Sequence, residues 1–297
     1  MAVYNEERFL GEAVESALAQ DYPDFEVVIS DDGSTDSTRT IAEGFARRHP
    51  ERVRVVHGER NEGKPAALNR ALEVHTGELI CWLDGDDVML PGKLERQVAA
   101  LERHPDAVGT VHDAEMFESD TGRVIGRFSE VAGQPLRSGG VELWFDPTYR
   151  MLPSATMFRS AALPAHGFDR RISFANDWLF DIELFTRGRC VALDEVLVRY
   201  RRHAGSFTER AQGGGLDFEE GLMVMSIVEA RYPQHVAGVR TCRTALLAGE
   251  ARRRVARRDM RGAARYARAA LRDGGIGGGL GVARSIARSN LRRRAAR

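Results

Sequence analysis

The sequence predicts a mixed α/β fold in which helices flank a mostly parallel sheet, with a helical appendage at the C-terminus. Three observations predict it. Short β-branched apolar runs alternate with helical stretches over residues 1–105, two of those runs end in carboxylates, and the composition turns to arginine after residue 236. Strands alternating with helices of 10 to 15 residues make βαβ units, and a parallel sheet of such units takes its ligands at the carboxyl ends of its strands.

The elements follow in order. Phe9, Ala13, Ala17 and Leu18 recur at helical spacing after Asn5, which is expected to cap the helix, with Glu6 and Glu7 in its first turn. Only Met1, Ala2 and Val3 precede Tyr4, so the first strand is expected either to be a stub or to belong to a chain whose recorded start is late. "FEVVISDDGS" from Phe25 reads as a strand, the segment after it as a helix capped by Asp36 or Ser37 and stopped by Pro50. A strand from Val53, a helix from Lys64 closed by Gly77, the strand "ELICWLD" and a helix after Pro91 complete this half. From Val108 to Gly140 short strands and turns are expected. "NDW" then leads a helix that ends at Gly188, and "RCVALDEVLVRYRRHAGSFT" reads as strand, turn, strand. An apolar helix near Leu222–Tyr232 precedes an Arg-rich helical hairpin with a break at Arg258–Asp259, the flexible joint "GGIGGGLG", and a short basic helix "VARSIARSNLRRRAAR".

The charges are unevenly distributed. The chain of 297 residues has 43 basic and 43 acidic residues, but residues 237–297 hold 17 Arg against Glu250, Asp259 and Asp273, a net +14 that leaves −14 on residues 1–236. Such a tail could be a solvated surface or could meet anionic lipid head groups; it has few aromatic residues to stack on nucleic acid, so no nucleic-acid partner is expected. Cys81, Cys190 and Cys242 are far apart and in no metal-binding spacing, which suggests a reducing compartment. No apolar run approaches the ~18 residues of a membrane span. A cytoplasmic protein is expected, with peripheral attachment at the inner membrane face as an open extension.

The chemistry concentrates in two acid clusters. In "LDGDD", Asp84 and Asp86 are two residues apart, so an extended backbone sends their side chains to one side, and Gly85 is expected to leave room for a ligand between them. Helix capping would account for one of Asp84, Asp86 and Asp87 but not for three, whereas a divalent cation would relieve their repulsion. In "SDDGSTDST", Asp32 can accept a hydrogen bond from a base or ribose, or it can close a turn.

"VYNEERFLGEAVESALAQDYPDFEVVISDDGSTDST", "NEGKPAALNRAL", "GELICWLDGDD" and "YRRHAGSFT" together resemble, in order over residues 2–208, the motifs of family 2 glycosyltransferases of the GT-A fold, bacterial type. The resemblance implies a glycosyltransferase domain over 1–208, with a nucleotide-binding half at 1–105 and an acceptor half at 106–208, followed by an Arg-rich helical region at 209–297. It further implies inverting transfer of a sugar from a nucleotide-diphosphate sugar to a glycan or lipid-linked acceptor, as in polysaccharide biosynthesis, assisted by Mg2+ or Mn2+. Carried over by position, Tyr4 and Asp32 would contact the base, Asp84 the ribose side, and Lys64 would lie near the nucleotide. Asp86 would bind the metal, His203 would complete its shell, and Asp177 would be the general base. Asn176 stands where the family often has Glu, Asp181 and Glu183 are weaker candidates for the base, and Arg201 or Arg202 could pair with phosphate. Asp177 could instead cap its helix. Two other functions remain open: a nucleotidyltransferase on a similar sheet, which would want a Gly-rich basic loop where this chain has "NEERF", and a non-catalytic nucleotide-sugar-binding protein.

Overall fold

The computed structural model describes residues 1–149, 151–206 and 215–274. The described residues fold into two compact units, one within 1–141 and 150–210, the other within 142–149 and 211–297.

In the first unit, β1 (Ala2–Val3), β2 (Val27–Asp31) and β3 (Val53–His57) form a parallel sheet in the order β1-β2-β3. The crossovers are α1 (Leu10–Leu18) and α2 (Thr38–Arg48). Each helix turns one apolar stripe to the sheet: Leu10, Ala13, Val14 and Ala17 are buried on α1, Ala42 and Phe45 on α2. Asn5 does not cap α1. It stands at φ 56 and accepts the Thr35 N–H through its side chain at 2.9 Å, so it binds the chain after β1 to the turn after β2, and α1 starts only at Leu10.

The third run of the sequence departs from the parallel expectation. β4 (Leu79–Cys81) pairs antiparallel with β8 (Thr156–Arg159), and a second sheet runs β4-β8-β6-β9-β5, with β5 (Val88–Met89) at one edge and β7 (Val124–Arg127) on β6. Its spine is β6 (Ala107–Glu118) beside β9 (Arg189–Arg202), which pair in parallel. Both are longer than the short strands read from the sequence. The turn expected within β9 is a bulge: the register slips from His112↔Leu193 to Asp113↔Val196, leaving Asp194 and Glu195 outside the ladder while the strand continues. The remaining helices of the unit are α3 (Lys64–Val74), α4 (Lys93–Arg103), α5 (Phe128–Ala132) and α6 (Asn176–Phe185). Leu101, Ala107, Met157 and Val191 pack one part of the core.

The second unit contains α7 (Leu216–Arg231), α8 (Val236–Ala256) and a helix over 260–274. α7 begins earlier than the apolar pattern alone suggests, with Asp217 and Glu219 in its first turn. The expected break stands at Arg258 (φ 64), and Asp259 accepts the Gly262 N–H at 2.8 Å to start the last helix. Phe218, Leu247, Ala248 and Ala270 form one cluster in the core of this unit, with Tyr266 edge-on to Phe218. The joint "GGIGGGLG" beyond Gly274 and the short basic helix lie outside the described residues.

Candidate functional site

The loop after β4 carries three acids, and each has its own partner. Asp84 faces the Lys64 ammonium at 2.7 Å, and its backbone N–H donates to Ser154 Oγ at 3.0 Å. Asp86 Oδ2 lies 3.1 Å from His203 Nε2, with both side chains less than a fifth exposed. Asp87 is 1 % exposed and accepts the backbone N–H of Arg201 at 3.1 Å. It does not cap α4, whose N-cap is Gly92. Burial, then the charges of Asp86 and Asp84, push the Asp87 carboxyl well above the ordinary carboxylate range, against opposing hydrogen bonds from Ser154 and Arg201.

Gly85 does not leave an open space between Asp84 and Asp86. A Cβ there would meet Val3 Cγ1 at 2.8 Å and Glu6 Cγ at 3.4 Å, so the glycine is needed for the close approach of β1 and the chain that follows it. Glu6 is therefore a site residue that the sequence pattern does not mark, although it stands inside "YNEE". Burial, then the charges of Asp86, Asp84 and Asp36, raise its carboxyl to about 8, with Lys64 opposing. A carboxyl so raised favours its neutral form, which relieves the repulsion among the clustered acids.

Lys64 opens α3, and a hydrogen bond from a neighbouring loop fixes that opening. Asp32, 2 % exposed, accepts the Glu62 and Gly63 N–H groups on Oδ2 at 3.0 and 2.7 Å, and the Arg70 guanidinium on Oδ1. Asp32 is thereby tied to the loop before α3, and Tyr4 is exposed nearby in sequence to Glu6. Burial alone would lower the Lys64 ammonium, but the Asp84 charge and hydrogen bond, then the charges of Asp177 and Asp86, raise it above its ordinary value. The lysine stays charged and acts as a counterion to the cluster.

A cleft is lined by Lys64, Leu68, Asp84, Pro153, Asn176, Asp177 and Asp181, over a floor that includes Trp82, Phe168 and Phe180. Asp177 and Asp181, one turn apart on α6, both reach it. Asp177 lies inside the first turn of α6, behind the N-cap Ala175, and accepts the Trp178 N–H at 2.7 Å. Phe168 stacks on Phe180 with ring centroids 4.2 Å apart, and Asn69 clamps the Phe168 backbone, donating to its carbonyl at 2.9 Å and accepting from its N–H at 2.7 Å. Nothing in the sequence pattern marks Asn69 or Ser154, because each acts on backbone distant in the chain.

The phosphate role considered for Arg201 is not what its surroundings favour. Its guanidinium donates to the Asp86 carbonyl at 2.7 Å and to Glu12 at 2.5 Å, and lies over the rings of Phe9 at 4.8 Å and Phe117 at 4.6 Å. It braces the Asp86 loop from behind. No group of three or more metal-ligating side chains occurs among the described residues. The Asp86–His203 pair still fits a divalent cation that completes its shell with phosphate oxygens and water, since the Asp86 carboxylate suits Mg2+ or Mn2+ and an imidazole can add a nitrogen ligand.

The family model described as glycosyl transferase family 2 matches residues 1–164. The putative glycosyltransferase EpsE of Bacillus subtilis is 43% identical over 112 residues, covering 37% of this chain and 40% of that protein. The uncharacterized glycosyltransferase EpsJ of the same species is 30% identical over 218 residues, covering 70% of this chain and 61% of its own length. The chain thus spans less than two thirds of these relatives. Among solved structures, Staphylococcus aureus TarS 1–349 in complex with UDP-GlcNAc superposes with a TM-score of 0.61 at 22% identity, covering 77% of this chain and 65% of the other. Mannosyltransferase PcManGT from Pyrobaculum calidifontis, in complex with GDP-Man and Mn2+, gives a TM-score of 0.57 at 20% identity over 98% of this chain and 85% of the other. At these identities the structural likeness concerns the fold alone, and it agrees with the GT-A expectation.

Proposed function

Because this chain belongs to glycosyl transferase family 2, we propose that it is an inverting glycosyltransferase that moves a sugar from a nucleotide-diphosphate sugar to a hydroxyl of a glycan or lipid-linked acceptor. The observation that carries the proposal is the cleft whose lining brings Lys64 and Asp84 together with Asp177. Inverting transfer needs a base that can reach the acceptor hydroxyl on the face of the reacting carbon opposite the leaving diphosphate, which is the role we assign to Asp177.

Asp177 accepts the proton of the acceptor hydroxyl as its oxygen attacks the anomeric carbon. Asp181, one turn along α6, keeps the same wall acidic. Tyr4, Asp32 and Asp84 are assigned to the nucleoside, and Asp32 also holds the loop before α3 in place. Lys64 leaves or shares Asp84 to meet the diphosphate. Asp86 and His203 would hold a divalent cation, which supplies electrostatic stabilisation of the charge that develops on the leaving diphosphate. We assign the reaction to the cytoplasmic side, on a polysaccharide or a lipid-linked acceptor.

The test is turnover with a panel of nucleotide sugars, together with thermal shift by nucleotide diphosphates with and without Mn2+. Asp177→Asn is expected to lower kcat by about 10²- to 10⁴-fold while donor binding persists. Asp86→Asn is expected to remove the Mn2+-dependent part of the nucleotide-induced rise in Tm. Nucleotide binding without transfer or donor hydrolysis by the unmodified chain would leave a binding protein instead.

A further inference from the structure

The helix over 260–274 carries two adjoining exposed stripes. Arg261, Arg265, Arg268 and Arg272 stand at i, i+4, i+7 and i+11, all exposed, and so share one face. Met260, Ala264 and Leu271 occupy the face beside it, with Met260 64 % and Leu271 45 % exposed. The remaining side is the packed one: Ala263 and Ala270 are buried, and Tyr266 meets Phe218 of α7.

Five acids of this unit are engaged away from the arginine stripe. Asp273 and Glu229 bind Arg243, Glu250 binds Arg253 and Arg254, and Asp217 and Asp259 bind the same two arginines. Among the described residues no carboxylate forms an ion pair with Arg261, Arg265, Arg268 or Arg272, though Arg265 lies over the Tyr266 ring. The helix thus presents uncompensated positive charge next to two large exposed apolar side chains.

We propose that this face docks on an anionic phospholipid bilayer. Arginine side chains can lay their aliphatic stems along the acyl boundary while the guanidinium groups reach the phosphates, and Met260 and Leu271 gain by leaving water. A nucleic acid duplex would match the charge but would give the two apolar side chains nothing to enter. A single strand would call for exposed aromatic rings, which this face lacks. The docking stands apart from the assignment of the catalytic groups, although a lipid-linked acceptor would share the same surface.

The experiment is co-sedimentation of the full chain with phosphatidylcholine vesicles made with and without phosphatidylglycerol. The chain is expected to pellet only with the anionic vesicles. Combined Arg261→Gln, Arg265→Gln, Arg268→Gln and Arg272→Gln should lower the partition coefficient by about five-fold per arginine, several hundred-fold in all. Met260→Ser with Leu271→Ser should leave binding at low salt but remove the fraction that resists high salt. All these positions are exposed, and a circular dichroism melt checks that the variants fold. Unchanged vesicle binding by the four-arginine variant would overturn the proposal, as would tighter binding to duplex RNA or DNA than to vesicles, or no binding to either polyanion. Vesicle binding should survive Asp177→Asn, and turnover on a soluble acceptor should survive the arginine replacements, so docking and catalysis fail separately.

Discussion

The three acids clustered after β4 are chemically unequal, and their neighbours make them so. Asp84 holds a lysine, Asp86 a histidine, and Asp87 a buried backbone N–H with Ser154 beside it. Another single residue makes a testable statement about pH. His112 is 2 % exposed, its Nδ1 lies 2.7 Å from the Asp113 carbonyl, and its Nε2 has no hydrogen-bond partner. Burial, then the nearby Lys93 charge, lowers the imidazole from 6.5 to about 3, against the Asp113 contact. Between those values the unfolded chain binds the proton and the folded chain does not. Stability therefore rises with pH across that window and is lost as pH falls from 6.5 toward 3, with a slope of up to about 1.4 kcal/mol per pH unit. His112→Gln should flatten that slope in urea titrations at a series of pH values; an unchanged slope would place the acid sensitivity elsewhere.

At the scale of an element, the end of β9 organises the acid loop. Arg201 binds the Asp86 carbonyl and Glu12 of α1 between two phenylalanine rings, its own N–H binds Asp87, and His203 two residues on reaches Asp86. One strand end thus fixes the backbone of the loop and supplies a side chain to it. Arg201→Met keeps much of the apolar stem but leaves Glu12 and the Asp86 carbonyl without their partner. It should cost about 3 kcal/mol in denaturant unfolding and weaken the Mn2+-dependent Tm shift given by nucleotide diphosphate. A loss of stability with the full metal-dependent shift retained would reduce Arg201 to a packing residue.

At the scale of the whole molecule, the zero net charge conceals −14 on residues 1–236 and +14 on residues 237–297. Copies of such a chain attract one another through opposite regions, and near the sequence pI of about 7.1 no net repulsion opposes this. Light scattering at neutral pH should therefore show self-association at low ionic strength that falls as salt rises, since the screening length is about 10 Å at 0.1 M. Association that grows with salt would mean that apolar contacts drive it.

Much of the candidate cleft lining was legible along the chain because it is carried by side chains at the ends of strands and the starts of helices. The carboxylates after β2 and β4 stand where apolar runs give way to turns, and Lys64 and Asp177 where loops give way to helices; the opening of α1, the bulge in β9 and the antiparallel neighbour of β4 did not show there. Those depend on pairing between distant segments: Asn5 is drawn to Thr35, Asp194 and Glu195 are set outside the ladder by the register on β6, and β4 lies against β8. The sequence by itself determined the residue types, the alternation of β2, β3 and their crossover helices, and the charge division. Only the tertiary structure decided that Glu6 fills the space at Gly85, that Asn69 and Ser154 serve backbone far from them, and that Arg201 faces inward. The physical reason is that hydrogen bonds and burial act through space, so a side chain's charge state and role follow from neighbours that its sequence position does not name.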